Sequence, residues 1–332
     1  MKQIPFEMPI FFCAGEPSGD LYAGLYIQQL KKRFPDARIF GVGGVRMAES
    51  GVELVFEYEK LMTFGLSDGL GSFFDNYSMY KKIVRKLRTL SPRTFVAVAY
   101  PGMNLLLCRI AKTMGMKVYY LLPPQIWAWG KSRKYFVKKW VDLVVSVFPF
   151  EADFFQRLGI NTVLVDNPLV HKLQGYKRNN FKRRIGFMPG SRSSQIQRNL
   201  PVVRELIGLI EAHDAEIECC LIVYDLNRIY TLRKGLDGSR IFRDNHYQAM
   251  KNCDLLIVSS GTASFEAAVM RIPQVFFHRL SYIDDYILRR FVHIREINLA
   301  NLYYEQAFVP CFVTSNYTFL LRQLRDWVLS HV

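Results

Sequence analysis

Short apolar runs rich in Val, Ile, Phe and Tyr alternate along the chain with longer amphipathic stretches, the pattern of βα units around a buried parallel sheet. In the first half the runs at 9–13, 38–42, 94–98, 117–122 and 143–147 predict strands. Helices are predicted at 21–33, 74–89, 103–114 and 151–158. A polar, basic segment containing glycine and asparagine, 171–182, then breaks the pattern. Beyond it the alternation restarts, with strands predicted at 185–188, 216–223, 255–258 and 274–277. Helices are predicted there at 199–213, weakly at 226–234, at 263–270 and at 317–328. The expected organisation is an N-terminal Rossmann-like domain over 1–170, a basic linker over 171–184 and a second such domain over 185–332. In open α/β sheets ligands collect at the carboxyl ends of strands, so the loops there carry the candidate chemistry, with a cleft between the halves as the natural site.

Composition narrows this. Half of the 332 residues are apolar, which excludes a disordered or fibrous chain. The 44 basic residues outnumber the 29 acidic ones, for a net charge of +15 and an expected anionic partner. The excess is local: five bases lie in 81–88, five in 131–139 and six in 171–184, and the remaining 28 are balanced by the 29 acids. The first two runs are interleaved with aromatic residues, which suits either an interfacial helix or an ordinary solvated helix face. Six scattered cysteines without a C-x-x-C pair indicate buried thiols in a reducing compartment, not a zinc site or disulfide framework. The first residues read as a strand and not as a signal peptide. Arg109, Lys112 and Lys117 interrupt the longest apolar stretch, so no transmembrane span is expected.

Four loops stand out. The first strand is followed by AGEPSGD at 14–20, where two glycines allow close backbone approach and Glu16, Ser18 and Asp20 place polar groups at a strand end; Asp20 serves equally well as a helix cap. Residues 41–44 are glycine-rich but lack a full dinucleotide fingerprint. In the second half PGSR at 189–192 and SSGTASFE at 259–266 set backbone donors and hydroxyls at expected helix N-termini, where a phosphate is favoured. Arg192 adds a bidentate donor for a diphosphate, and Glu266, one turn into its helix, is placed for ribose hydroxyls. Trp127 and Trp129 beside the second basic run suit sugar stacking, an interfacial belt or core filling.

Taken in order, these segments resemble the lipid-A-disaccharide synthase family of bacterial glycosyltransferases. Further matching pieces are GVGGVRM at 41–47, LMTFGLSD at 61–68, Pro101 with Asn104, PQIWAW at 124–129 with Arg133, FPFE at 148–151, NPL at 167–169 and ANL at 300–302. The resemblance implies a GT-B-like α/β fold, two Rossmann-like domains facing across a cleft. It implies transfer of 2,3-diacylglucosamine from its UDP donor to 2,3-diacylglucosamine 1-phosphate, giving the β-1,6-linked disaccharide and UDP. By that analogy UDP is held by Gly190, Ser191, Arg192, Gly261, Thr262, Glu266 and Asn301, and the acceptor lies near Glu16, Ser18, Asp20, Asn104 and Trp127. No resident cofactor or metal is expected. The expected location is cytoplasmic, peripheral on the inner face of the cytoplasmic membrane, where an anionic lipid surface is a partner; a homodimer is compatible with the sequence.

The chain also departs from the family pattern. Ala99 and Gly102 stand where the family carries acidic residues, the first being its favoured acid/base; Asp166-Asn167 replace a glycine-histidine pair, and Gln195 replaces a glutamate. Two readings follow: an active synthase with rearranged catalytic residues, and a paralogue that binds UDP-sugar or lipid without turnover. A third, a nucleic-acid-binding protein, rests on charge alone and lacks a recognised module.

Overall fold

The computed structural model describes residues 4–58, 70–127, 130, 132–176, 183–190, 193–223, 241–242, 246–291 and 296–331. Ser191 and Arg192, the 61–68 motif, Trp129, the linker core 177–182 and the helix expected at 226–234 lie outside them. The chain divides into two compact units, Met1–Leu169 and Val170–Val332.

The first unit alternates β1 (Ile10–Ala14), α1 (Pro17–Arg33), β2 (Ile39–Gly43), α2 (Val45–Glu49), β3 (Glu53–Glu57), α3 (Leu70–Leu90), β4 (Thr94–Val98) and α4 (Pro101–Thr113). It continues with β5 (Lys117–Leu121), α5 (Arg133–Trp140), β6 (Leu143–Ser146), α6 (Pro149–Arg157) and β7 (Thr162–Leu164). Its seven strands are parallel in the order β3-β2-β1-β4-β5-β6-β7. Pro17, Pro101 and Pro149 open their helices where the missing N–H costs nothing. Every residue of β1, β2 and β4 is buried, because helices cover both faces of a parallel sheet. On one face Phe11, Phe95 and Tyr120 meet Ile83 and Leu87 of α3 and Leu107 of α4.

In the second unit α7 (Pro168–Leu173) crosses the junction, followed by β8 (Arg184–Met188), α8 (Ser193–His213), β9 (Glu218–Ile222), β10 (Ile241–Phe242), α9 (His246–Lys251), β11 (Leu255–Val258) and α10 (Gly261–Val269). Then come β12 (Gln274–Arg279), α11 (Tyr282–Phe291), α12 (Leu299–Tyr304), β13 (Cys311–Thr314) and α13 (Tyr317–Leu329). Six parallel strands run β10-β9-β8-β11-β12-β13, the same winding as in the first sheet. Leu320, Leu324 and Val328 of α13 pack with Val203, Leu206 and Ile210 of α8 into that unit's own core. The Asn316 side chain caps α13 by accepting from the Phe319 N–H at 2.9 Å.

The two parallel α/β sheets are those the apolar pattern predicts. The sequence pattern does not predict β3, β7, β10 or β13. β3 and β7 edge the first sheet and β10 and β13 the second, and all four are only partly buried, so they lack the continuous apolar run that marks a central strand. Five of the six cysteines are buried free thiols. Among the described residues no helix is long and apolar enough to cross a membrane.

Candidate functional site

In each sheet the strand order reverses direction once, between β1 and β4 and between β8 and β11. The crevice outside the carboxyl ends at such a point is where open α/β sheets bind ligands. AGEPSGD follows β1 and Ala99-Tyr100 follow β4; Pro189-Gly190 follow β8 and Ser259-Ser260 follow β11. These four loops therefore sit at the two switch points, whereas the glycine-rich 41–44 turn follows β2, away from them.

At the first switch point Glu16 is the N-cap residue of α1 in extended conformation, half-buried, and accepts from the Ser18 hydroxyl at 3.1 Å. Asp20 is turned elsewhere. Its Oδ1 accepts from the N–H groups of Gly44 (2.6 Å) and Met47 (3.2 Å), and its Oδ2 from that of Arg46 (3.1 Å). It caps α2, a different helix from its own, and ties the β1 loop to the β2 loop. Burial pushes its carboxyl pKa up, against the pull of the three backbone N–H bonds and of Arg46. With both oxygens so engaged, Asp20 is a poor proton acceptor for a substrate.

Asn104 is fully buried in the first turn of α4, and its Nδ2 faces the carbonyls of Cys13 (3.0 Å), Val98 (3.2 Å) and Ala99 (2.9 Å). It clamps the carboxyl ends of β1 and β4 together. The Tyr120 hydroxyl donates to the same Ala99 carbonyl at 2.8 Å. Ala99 and Tyr100 both lie in the left-handed region, with φ of 49° and 44°. Two successive non-glycine residues there cost on the order of 1–3 kcal/mol each. The Tyr100 ring covers Gly15 so closely that a Cβ on Gly15 would fall inside it. This strained corner is where the expected acidic residue is replaced by alanine.

One group was not singled out from the sequence. Glu151, in the first turn of α6, is buried and accepts from the Ser146 hydroxyl at 2.8 Å. Burial pushes its pKa up to about 7, against Ser146 and Trp127. The Trp127 indole N–H stands close enough to lower that pKa without making a hydrogen bond of good geometry. The Trp127 ring meets Phe150 edge-on at 5.2 Å, so the FPFE turn props the PQIWAW loop. An acid in a helix's first turn looks ordinary in sequence; only its burial marks it.

At the second switch point α10 begins at Gly261, with Ser260 as its N-cap residue and Thr262 half-buried in the first turn. Gly190 has φ +133°, and a Cβ there would meet Gln195 at 2.5 Å. Gln195 donates through Nε2 to the Ser259 carbonyl and lies 3.1 Å from His278 Nδ1, while Asn199 Nδ2 donates to Pro189 O (2.8 Å) and Ser259 Oγ (2.6 Å). The carbonyl is an obligate acceptor, which fixes the Gln195 amide and makes His278 Nδ1 an acceptor too. This network joins the ends of β8, β11 and β12; Ser259 belongs to the SSGTASFE motif and Gln195 to the PGSR neighbourhood, but Asn199 and His278 are ordinary polar residues in sequence.

Glu266 is fully buried and accepts from the Tyr247 hydroxyl at 2.9 Å. Asn301 donates to Glu296 Oε2 (2.8 Å) and the Val309 carbonyl (2.9 Å), and its Oδ1 accepts from the Phe308 and Val309 N–H groups. Asn301 thereby fastens α12 to the segment entering β13. A cavity of about 600 Å³ opens at the opposite edge of this sheet, lined by Ile185, Leu255, Gln274, Val309 and Trp327. The glycine loops lie at the far ends of the strands, so that cavity is not the phosphate site.

The basic runs divide. On α3, Met79, Ile83 and Leu87 face the core while Tyr77, Lys81, Lys82, Arg85 and Lys86 are exposed. Arg183 and Arg184 of the third run are paired with Asp214, Glu216 and Glu218. On α5 Lys138 and Lys139 are exposed together with Tyr135 and Phe136.

The lipid-A-disaccharide synthetase family matches this chain over residues 10–329, which takes in both units. The chain belongs to that family. A lipid-A-disaccharide synthase of Nitrosococcus oceani is 32% identical over 311 residues, covering 90% of this chain and 80% of the relative. One from Geobacter metallireducens is 29% identical over 315 residues, covering 91% and 82%. Among solved structures, UDP-GlcNAc 2-epimerase from Neisseria meningitidis bound to UDP-GlcNAc has a TM-score of 0.63 at 9% identity, covering 96% of this chain and 90% of that one. The Methanocaldococcus jannaschii UDP-GlcNAc 2-epimerase in complex with UDP-GlcNAc and UDP has a TM-score of 0.62 at 14% identity, covering 96% and 92%. At those identities the likeness concerns the fold, and it agrees with the GT-B-like pair of Rossmann-like sheets.

Proposed function

We propose that this synthase-family chain is the hexosyltransferase that joins 2,3-diacylglucosamine from its UDP donor to 2,3-diacylglucosamine 1-phosphate, forming the β-1,6-linked lipid A disaccharide and releasing UDP. The observation that carries this is the family match across both switch-point sites. In the reaction the acceptor hydroxyl oxygen bonds the anomeric carbon, the bond from that carbon to the UDP oxygen breaks, and UDP departs with the electron pair. The hydroxyl proton passes to a base. Glu16 suits that role better than Asp20, since its carboxylate sits at the strand end beside the Ser18 hydroxyl, whereas both Asp20 oxygens are committed to backbone N–H groups. The charge growing on UDP is met by Arg192, by the N-terminus of α10 and by the glycine loop at Gly190, with Ser191, Gly261 and Thr262 as hydroxyl and backbone contacts, so no resident cofactor or metal is invoked. Asn104, Glu266 and Asn301 hold these loops in place. Ser18 orients Glu16.

Both substrates carry acyl chains and phosphate, so the protein works at the inner face of the cytoplasmic membrane. The exposed lysines and aromatic residues of α5 support that placement.

The test is turnover in mixed micelles, reading disaccharide by mass spectrometry and UDP release together. Both products support the synthase. UDP binding without either product supports instead the non-catalytic paralogue that Ala99 and Gly102 favour. Arg192→Ala should weaken UDP binding by about tenfold or more, the worth of a charge-assisted phosphate contact; full retained affinity would contradict the donor site.

A further inference from the structure

Helix α11 leaves the end of β12 and carries an apolar arc that no described residue of its own unit covers. Tyr282, Ile283 and Tyr286 are 79%, 72% and 67% exposed. At 100° per residue these three and the exposed Arg290 fall within one arc of about 100°. Both acids of the helix lie outside that arc and are engaged by the protein. Asp285 Oδ2 accepts from the Ser315 N–H (3.0 Å) and hydroxyl (2.5 Å), and Asp284 takes the Ser281 hydroxyl (2.6 Å) and lies 3.5 Å from Arg198. The helix is thus pinned by Asp285 while presenting tyrosine, isoleucine and arginine outward, with Asp284 exposed on another side. An ordinary solvent-facing arc is charged or polar; three large apolar side chains within five residues are a contact surface.

We propose that this arc of α11 docks on an anionic lipid bilayer, giving the nucleotide-binding unit a membrane contact of its own. The inference rests on the reading that the substrates are acylated and presented at a bilayer, and it goes beyond the basic runs, the first two of which lie in the other unit. Tyrosine suits the headgroup level, with an apolar ring and a wet hydroxyl, and isoleucine reaches deeper. Arg290, exposed at the end of the arc, complements anionic headgroups. A second copy of the chain fits less well. The three side chains together offer on the order of 450 Å², about half of the ~800 Å² that each partner of a stable dimer buries.

The test is co-sedimentation of the full chain with vesicles of phosphatidylcholine and phosphatidylglycerol in equal parts, against vesicles of phosphatidylcholine alone. Thermal stabilisation by UDP serves as the control for folding and for the nucleotide site. Wild type should pellet with the anionic vesicles. The triple variant Tyr282→Ser, Ile283→Ser, Tyr286→Ser should lose about tenfold in vesicle affinity while keeping its UDP stabilisation. Tyr282→Phe, Ile283→Leu, Tyr286→Phe should bind as wild type does. If the triple serine variant is unstable, Ile283→Ser alone carries the comparison, with a smaller loss. Serine variants that bind vesicles like wild type overturn the role of α11 and leave the membrane reading standing. A wild-type chain that responds to UDP but binds neither vesicle overturns both. A wild-type dimer in light scattering that the serine variant converts to monomer assigns the arc to self-association and also overturns the proposal.

Discussion

Asp20 and Glu151 are both buried carboxylates near strand ends in the first unit, and their partners give them different behaviour. Asp20 holds three backbone N–H groups, so Asp20→Ala leaves the start of α2 without a cap and should cost about 1–3 kcal/mol in urea unfolding. Glu151 has few partners and a pKa pushed up to about 7 from an ordinary value of 4.5. A folded-state pKa above the unfolded one means that the folded protein binds the extra proton, so stability falls as pH rises from 4.5 through about 7. Glu151→Gln removes that penalty. The variant should match wild type in melting temperature near pH 5 and exceed it at pH 8, by a margin on the order of 2–3 kcal/mol; equal melting at both pH values would show that the carboxyl is not buried as described. Ala99 offers a third test. Its φ of 49° suits aspartate better than alanine, and the family carries an acid there. Ala99→Asp should fold at least as well and raise kcat by about tenfold or more if a base is what the chain lacks. Of these positions the sequence displayed the acids but not their partners: Gly44 to Met47 lie 24 to 27 residues from Asp20, and only the pairing of β1 with β2 brings them together.

Loops built on helix starts depend on which residue can adopt the turn. Gly190 combines φ +133° with Gln195 at 2.5 Å from a would-be Cβ, so Gly190→Ala is strained twice over. It should weaken UDP binding by at least tenfold in calorimetry while disturbing the first unit little. Glycine at Gly190 and Gly261 was legible as a turn residue at a strand end that opens a helix, where serine serves equally for capping and for a phosphate. The network of Gln195, Asn199, Ser259 and His278 beneath them was not, because it draws on three strands at once. At α3 the sequence left a solvated face and an interfacial helix equally open. The core accounts for Met79, Ile83 and Leu87, and the outer face carries Tyr77 beside the lysines, which is compatible with both. On α11 Asp285 is turned inward while Tyr282, Ile283 and Tyr286 face outward, an arrangement that depends on Ser315.

Each unit carries its own buried core, and the last helix belongs to the second. Leu324→Ala in α13 should destabilise by about 2–5 kcal/mol, and hydrogen exchange should show the loss in β8 to β13. UDP should slow exchange at the starts of α8 and α10 in preference to the first sheet. The sequence by itself determined the fold class, the number of parallel α/β units and the family, because fully buried strands need unbroken apolar runs and glycine-rich turns need their glycines, and both are local properties. It also displayed the net charge of +15, but not which charges are free: Arg183 and Arg184 meet acids from other segments. Only the tertiary structure decided which carboxylates cap, which clamp and which are left to titrate. It also decided the edge strands β3, β7, β10 and β13 and the strained corner at Ala99, because those depend on partners far away in the chain.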